Sequence, residues 1–196
     1  MMNYRQVQCL VFILIFSAVL KGGCSEARAD PNAKQALLVI YSQFEEHEYT
    51  ASREIMENNG IVVTVASSSK ETLKGHRGMQ VKPDILLSDA AASDYDAIVF
   101  IGGIAYDSPP EAEQLVREAA VEGKVLAAIC IAPVTLARAG VLEGKRATAS
   151  ISPTLLESRG AIFTGNPVEQ DGLIITAFGP EQSRQFAEAV VAALEE

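Results

Sequence analysis

Cys130 lies at a point in the chain where a thiol could do chemistry. It stands in the sequence AAICIAP at residues 127–133, after an apolar run and before a stretch typical of a helix start. Backbone N–H groups at a helix start favour a thiolate, and they stabilise the oxyanion formed when a thiolate attacks a carbonyl. Cysteine is also among the residue types most often buried for packing. The position alone leaves both packing and nucleophilic chemistry open.

Two other motifs follow apolar runs in the same way. SQFEEHE, after the first run, contains Glu45, Glu46 and Glu48, and Gly102-Gly103 follows the run AIVFI. A glutamate near the thiol would hold or take its proton. The Gly-Gly pair allows a close approach of the backbone, and one of its N–H groups would complete an oxyanion site.

The other cysteines and the histidines limit the chemistry further. Cys9 lies in an apolar segment and Cys24 at a predicted processing site, so Cys130 is alone in the predicted domain. In an oxidising compartment such a cysteine is buried and inert, bridged to another chain, or kept as a reactive thiol. With only His47 and His76, and no CxxC or HExxH motif, the sequence predicts no metal site and no cofactor.

The N-terminal residues have the pattern of a signal peptide. Arg5 precedes the continuous apolar run CLVFILIFSAVL at residues 9–20. This run is shorter than the roughly 20 residues that span a bilayer, but it has the length of a signal-peptide core. We therefore expect cleavage after the A-x-A motif ARA, which removes residues 1–29 and leaves one exported domain, periplasmic or secreted, at residues 30–196. A lipid anchor at Cys24 and a short uncleaved anchor are the alternatives.

The composition suits a single domain with an ample core. The chain has 196 residues, of which 48% are hydrophobic, and a formal net charge of −9. It contains no run of lysine and arginine, which argues against a nucleic-acid partner.

Apolar runs that alternate with helical patterns predict the elements that position these motifs. Strands are predicted at residues 35–41, 61–66, 97–101, 125–129 and 173–177. Helices are predicted at residues 44–59, 108–123, 132–140, 152–160 and 180–196, with a polar loop at 67–77 and a short strand pair within 78–87. This alternation is typical of an α/β domain with a parallel sheet covered by helices on both faces. Ligands of such sheets bind beyond the carboxyl ends of the strands, where the three motifs are expected to meet.

Four motifs in order resemble the ThiJ/PfpI superfamily over residues 35–196. They are FEEHE with Gly60 twelve residues later and then IVVTVAS, VKPDILLSDAAASDYDAIVFIGG, AAICIAPVTLARAGVLEGKRAT, and DGLIITAFGPEQSRQFAEAVVAAL. They are similar to the family's first strand–helix–strand unit, its Gly-Gly turn, its nucleophile elbow, and its last strand and helix. The resemblance implies a flavodoxin-like fold of the class I glutamine amidotransferase type, and a homodimer.

The resemblance also implies roles for five residues. Cys130 falls on the family's reactive cysteine, and Glu48 falls on the acidic residue that hydrogen-bonds its thiol. Glu45 falls on a second acidic position. Gly103 and the amide of Ile131 fall on the oxyanion donors.

The sequence departs from the family at the position of the site histidine. Protease-like members carry it directly after the cysteine, where this chain has Ile131, and deglycase-like members carry it later, where this chain has Ser150 or a neighbouring residue. His47 and His76 match neither position and are expected at the surface. A cysteine peptidase needs a base on its nucleophile, so peptidase activity is disfavoured.

The implied activity is cofactor-independent chemistry on a small carbonyl substrate, of the glyoxalase or deglycase type. A thiolate adds to an aldehyde, a carboxylate such as Glu48 moves a proton between carbons, and hydrolysis releases an acid. Gly102 and Tyr106 are further candidates for lining the site. The alternatives are a redox sensor, through oxidation of Cys130 to sulfenic or sulfinic acid, and a family member with a structural role only.

Overall fold

The computed structural model describes residues 32–196, which form one α/β domain. The strands are β1 Gln35–Val39, β2 Val62–Ser67, β3 Leu73–Lys74, β4 Gln80–Val81, β5 Ile85–Leu86, β6 Ala97–Phe100, β7 Val125–Ile129, β8 Arg146–Ala147, β9 Ile162–Phe163, β10 Val168–Asp171 and β11 Ile174–Ala177. The helices are α1 Glu46–Asn58, α2 Pro110–Val121, α3 Pro133–Arg138, α4 Pro153–Glu157 and α5 Ser183–Glu195, with short 3₁₀ turns at 87–89, 92–94 and 180–182.

Seven strands form the central sheet, in the order β10-β11-β7-β6-β1-β2-β5. All neighbours are parallel except β10 and β11, which are antiparallel. In the middle of the sheet Leu37 of β1 pairs with Thr64 of β2 and with Ile98 of β6. The predicted α/β class with a mainly parallel sheet is confirmed.

Alternate residues of each central strand pack on opposite faces of the sheet. Leu37 and Val39 belong to a buried cluster that includes residues of α2 and α3. Leu38 and Ile40 belong to the other cluster, with Phe186 of α5 and residues of α1. Because both faces are covered, these strands are apolar at nearly every position, which explains the continuous apolar runs of the sequence.

The region between β2 and β6 differs from the prediction. Two short strands, β4 and β5, do lie within residues 78–87, but they do not pair with each other. β4 pairs with β3, inside the predicted loop at 67–77, whereas β5 adds to the sheet beside β2. Asp84 holds β5 at this edge, because its N–H donates to the carbonyl of Val65 (2.8 Å) and its carboxylate accepts from the N–H of Val65 (2.8 Å).

Three short strands after α3 were not predicted from the sequence. β8 and β9 pair in a small two-stranded sheet of their own, and β10, with the sequence VEQD, forms the antiparallel edge of the main sheet. β10 is polar, as edge strands often are, and β8 and β9 have only two residues each, so none of the three has the apolar run that marks a buried strand.

The predicted signal peptide at residues 1–29, and with it Cys9 and Cys24, lies outside the described residues. Among the residues that the structure does describe, none of the helices is both long and apolar enough to span a membrane.

Candidate active site

The fold places Cys130 on a tight turn at the carboxyl end of β7. β7 is buried throughout, and α3 begins three residues after the cysteine. The backbone of Cys130 has φ +64°, and its N–H donates to the carbonyl of Ala177 on the neighbouring strand (3.0 Å). A residue with a side chain rarely adopts this left-handed conformation, which costs about 1–2 kcal/mol. The turn therefore holds the half-buried thiol in one orientation at the edge of the sheet.

Glu48 lies in the first turn of α1 and is fully buried beside the cysteine turn. Its Oε2 accepts a hydrogen bond from the N–H of Gly102 (2.9 Å), whereas its Oε1 has no hydrogen bond of standard geometry to a described residue. A Cβ on Gly102 would lie 2.7 Å from the Cβ of Cys130 and 3.0 Å from Oε2. Glycine is therefore needed at 102 for the carboxyl and the thiol to come together.

The backbone N–H groups of Gly103 and Ile131 are the predicted oxyanion donors. Gly103 lies opposite Phe44 in an isolated antiparallel bridge, in which the N–H of Gly103 is not used. No described residue accepts a hydrogen bond from this N–H. The N–H of Ile131 faces the sulfur of Cys130 and lowers the pKa of the thiol. The structure thus brings the N–H of Ile131 to the sulfur, whereas Gly103 lies against Gln43 and Phe44 and its role as an oxyanion donor stays a prediction.

Ser150 contacts the thiol directly. Its Oγ lies 3.0 Å from the Sγ of Cys130, and its N–H donates to the carbonyl of Cys130 (2.9 Å). The position predicted to replace the family histidine therefore does lie at the sulfur, with a hydroxyl in place of an imidazole.

Burial changes the ionisation of Glu48. It is the main reason why the pKa of this carboxyl rises from 4.5 to about 8. The charges of Glu45 and Glu181 act in the same direction, whereas the N–H of Gly102 and the thiol of Cys130 oppose them. At pH 7 the carboxyl is mostly protonated, and it ionises as the pH rises through about 8.

The thiol pKa is shifted in the direction opposite to the prediction. Burial, followed by the charge of Glu48, raises the pKa of Cys130 to about 11. The hydroxyl of Ser150 and the N–H of Ile131 lower the pKa, but they do not outweigh burial. The expectation that the helix start makes Cys130 a low-pKa thiol is therefore wrong for the free protein.

The short helix α3 explains this difference. It has six residues, and Pro133 at its first position has no N–H. The N–H groups of Ala132, Val134 and Thr135 donate to carbonyls that precede α3, those of residues 129, 131 and 132. Ile131 is left as the backbone donor to the sulfur, so the thiol receives one backbone hydrogen bond and little of a helix dipole.

Glu45 is buried, with 6% of its surface exposed, and its carboxylate contacts two histidines and an arginine, not the thiol. It caps α1 by accepting from the N–H of His47 (3.3 Å), and it lies 3.4 Å from the Nδ1 of both His47 and His76. Arg77 lies 3.8 Å from the same carboxylate. His47 is exposed as predicted. His76, in the loop after β3, is instead half-buried, because it packs against Glu45 and the carbonyl of Phe44.

Tyr106 packs away from the thiol. Its ring meets that of Tyr41 edge to face (5.3 Å between centroids), and its hydroxyl lies 2.6 Å from the Oγ1 of Thr135. These contacts place it in the cluster under α2 and α3, whereas Cys130 packs against the cluster on the other face. Tyr106 is drawn into the core because a tyrosine buries a large ring and satisfies its hydroxyl there.

Two cavities differ in their relation to this site. One, of about 320 Å³, lies at the amino ends of the strands near Leu126 and Asp171, away from the thiol. The other, of about 350 Å³, is lined by Gln43, His76 and Ile104, next to the Gly-Gly turn. The second is the cavity that adjoins the predicted site.

Sequence reasoning missed one charge near the site. Glu181 follows β11 at the same edge of the sheet as Cys130, and its charge reaches Glu48. The rule that ligands bind beyond the carboxyl ends of strands would have included it. Within residues 32–196 no group of three or more histidine, cysteine or acidic side chains has the geometry to hold a metal ion.

Replacing Glu45 with glutamine is expected to lower the pKa of Glu48, because it removes a like charge near a buried carboxyl. In an NMR titration of ¹³C-labelled side-chain carboxyls, the Glu48 midpoint should move below about 8. Glu54→Gln is the matched control, since it removes the same charge from an exposed position on α1. A Glu48 midpoint that is equal in Glu45→Gln and wild type would contradict the prediction.

Comparison with known proteins supports the fold and the order of the motifs. Residues 34–193 match the model of the DJ-1/PfpI family. An uncharacterised protein of Methanocaldococcus jannaschii is 34% identical to this chain, over 95% of this chain and 97% of its own length. Protein dj-1beta of Drosophila melanogaster is 33% identical over 79% of this chain and 86% of its own.

Solved structures give the same result. The crystal structure of Drosophila DJ-1beta has a TM-score of 0.75 at 32% identity and covers 83% of this chain and 90% of its own. A two-domain protein of Anabaena variabilis, with DJ-1/ThiJ/PfpI-like and ferritin-like domains, has a TM-score of 0.79 at 30% identity. The match covers 83% of this chain but only 48% of that protein. With the elbow, the buried glutamate and these matches together, the chain belongs to the DJ-1/PfpI family.

Proposed function

We propose that this protein converts small 2-oxoaldehydes into 2-hydroxy acids without a cofactor, with Cys130 as nucleophile and Glu48 as base. One observation carries the proposal. The Sγ of Cys130 is held on a left-handed turn (φ +64°), next to the buried carboxyl of Glu48 and the N–H of Ile131. Strained cysteines in such surroundings are more typical of reactive sites than of packing.

The first step is addition of the thiol to the aldehyde carbon, C1. The thiol proton passes to the Glu48 carboxylate, and the sulfur forms a bond to C1. The N–H groups of Gly103 and Ile131 stabilise the negative charge that develops on the aldehyde oxygen. Glu48 then gives the proton to this oxygen, which yields a hemithioacetal. A carboxyl with a pKa of about 8 suits both transfers, because it gains and loses a proton near neutral pH.

The second step moves hydrogen within the bound substrate. Glu48 takes the proton from C1 and returns it to C2, while the hydroxyl proton moves from the C1 oxygen to the C2 oxygen. The product is a thioester of the 2-hydroxy acid. Water then cleaves the bond between sulfur and C1, which releases the acid and restores the Cys130 thiol. The sequence consumes one water and needs no oxidant or reductant.

The direct test is product formation by the purified full chain. Methylglyoxal is supplied in buffer that contains EDTA and no added thiol, and lactate is followed by proton NMR. We expect lactate to form at a rate proportional to protein concentration. In D₂O the lactate should carry deuterium at C2, because a proton held by Glu48 exchanges with solvent between the two transfers. Lactate formation at the rate of buffer alone would overturn the proposal.

A second candidate function is redox sensing through Cys130, and one observation favours it. Below about pH 8 Glu48 is protonated beside the sulfur, so its O–H can donate to an oxygen of a sulfinate. Mass spectrometry after low peroxide, showing stoichiometric addition of two oxygen atoms to Cys130, would support this role. Turnover of dicarbonyls separates it from the enzyme, since a pure sensor shows none.

Export and a homodimer are proposed on the sequence alone. N-terminal sequencing of protein recovered from the periplasm or medium of its host tests the cleavage before Asp30. Light scattering on the purified protein tests the dimer. A protein recovered only from the cytoplasm with Met1 intact, or a monomer at micromolar concentration, would contradict the respective proposal.

A further inference from the structure

We infer that Ser150 is a positioning residue for the nucleophile, whose hydroxyl donates a hydrogen bond to the Cys130 thiolate. The inference deepens the proposed function, and it rests on that function only for its catalytic part. The distance of 3.0 Å between Ser150 Oγ and Cys130 Sγ is short for a contact to sulfur. It joins two residues 20 positions apart in sequence.

Hydrogen bonds fix the backbone that leads up to Ser150. The N–H of Ser150 donates to the carbonyl of Cys130 (2.9 Å), which ties the serine to the cysteine turn. Two residues earlier, the N–H of Thr148 donates to the Oγ1 of Thr176 on β11 (2.9 Å). Ala149 between them is fully buried. The hydroxyl is therefore delivered to the sulfur by a segment with little freedom to move.

The direction of the hydrogen bond follows from the state of the sulfur. A thiolate has no proton, so between these two groups only the serine can donate. No other described residue forms a hydrogen bond with the Ser150 hydroxyl, so its proton is free for the sulfur. Hydrogen bonds to charged acceptors are about twice as strong as neutral ones, so the contact gains strength when the thiol ionises.

A serine at this position has a different pH behaviour from a histidine. It does not titrate near neutral pH, so its hydrogen bond is available at every pH at which the protein is folded. The groups that face the sulfur are the carboxyl of Glu48 from α1, the N–H of Ile131 and the Ser150 hydroxyl. Glu45 and Glu181 act on Glu48. The pH dependence of Cys130 reactivity is therefore determined by these carboxyls and by the thiol itself.

The test compares Ser150→Ala with Ser150→Thr, which keeps the hydroxyl. The pseudo-first-order rate of iodoacetamide alkylation is measured against pH on the full chain, by mass spectrometry of the tryptic peptide 125–138. Ser150→Ala should raise the thiol pKa and slow alkylation at pH 8 about tenfold, the effect of one hydrogen bond to a charged acceptor. Ser150→Thr should restore most of the rate. Ser152→Ala, two residues away on an exposed serine without a capping hydrogen bond, is the matched control.

Activity provides the second readout. For Ser150→Ala the kcat for lactate formation should fall in proportion to alkylation, with little change in KM, because the serine acts on the sulfur and not on substrate binding. An alkylation profile of Ser150→Ala that superposes on that of wild type would overturn the inference. If the wild type forms no lactate but Ser150→Ala still shifts the thiol titration, the proposed function fails and the role of Ser150 stands.

Discussion

Replacing Cys130 with alanine is expected to reduce the formation of lactate from methylglyoxal to the rate of buffer alone. In the proposed reaction the sulfur forms the bond to C1, and no later step can take place without it. Cys130 is the only cysteine in residues 32–196, and the other groups at the turn are an amide, a hydroxyl and a buried carboxyl. The measurement is initial rate by NMR at equal protein concentration.

The controls separate loss of the nucleophile from loss of the fold. Cys9→Ala and Cys24→Ala make the same chemical change outside the described domain and should leave the rate unchanged. Alanine at 130 keeps the strain of the left-handed turn, since it has a Cβ like cysteine. The urea unfolding midpoint should therefore stay close to that of wild type. Lactate formation by a folded Cys130→Ala protein above the buffer rate would exclude Cys130 as the nucleophile.

The sequence predicted the parallel sheet well, because buried strands leave a strong pattern. β7 was predicted with its observed ends, and α1 begins within two residues of the prediction. This apolar pattern is weak or absent in short, polar strands. β10 was missed because it takes its place by pairing with β11 and not by burying an apolar run.

The site was predictable in position but not in electrostatics. Topology alone brings the ends of β1, β6 and β7 together, so the motifs that hold Glu48, Gly103 and Cys130 had to meet. The direction in which the thiol pKa shifts depends on how deeply the sulfur is buried and on which N–H groups are free to donate to it. Both are properties of packing. The sequence showed only Pro133, which removes one backbone N–H from the start of α3.

Side-chain direction was the least predictable feature. Tyr106 and Glu45 are both close in sequence to site residues, yet the first packs on Tyr41 and the second pairs with His76. Only the resemblance to the family pointed to Ser150, at the position where other members have a histidine. A single serine in a polar stretch gives no local indication of a functional role. Its contact with Cys130 depends on a hydrogen bond between residues far apart in sequence.

Replacing Glu48 with glutamine should slow lactate formation by about 10³-fold, within the usual contribution of a general base. The carboxyl is the group proposed for every proton transfer, and glutamine keeps its shape but cannot take a proton. In wild type kcat/KM should rise as the pH passes through about 8, where Glu48 ionises. In Glu48→Gln this rise should disappear. The measurement is kcat/KM for methylglyoxal from pH 6 to 9.5, checked against the uncatalysed rate.

The same substitution should change thiol reactivity in the opposite direction. Above pH 8 the wild-type carboxylate raises the pKa of Cys130, so its removal should lower that pKa and increase the thiolate fraction. Alkylation by iodoacetamide at pH 9 is therefore expected to be faster in Glu48→Gln than in wild type. A variant with slower turnover and faster alkylation cannot be explained by a damaged cysteine turn. Parallel loss of both rates would count against Glu48 as the base.

Stability gives an independent check on the buried carboxyl. An acid whose pKa rises from 4.5 to about 8 on folding binds more protons when folded. Its contribution to stability is present below about pH 4.5 and is lost as the pH rises through 8, by an amount on the order of 5 kcal/mol. Glu48→Gln has no such loss. Its urea unfolding midpoint, measured relative to that of wild type, should therefore increase from pH 5 to pH 9. A constant difference between the two proteins over this range would mean that Glu48 is already ionised at neutral pH, and that the base in the proposed reaction is a weaker one.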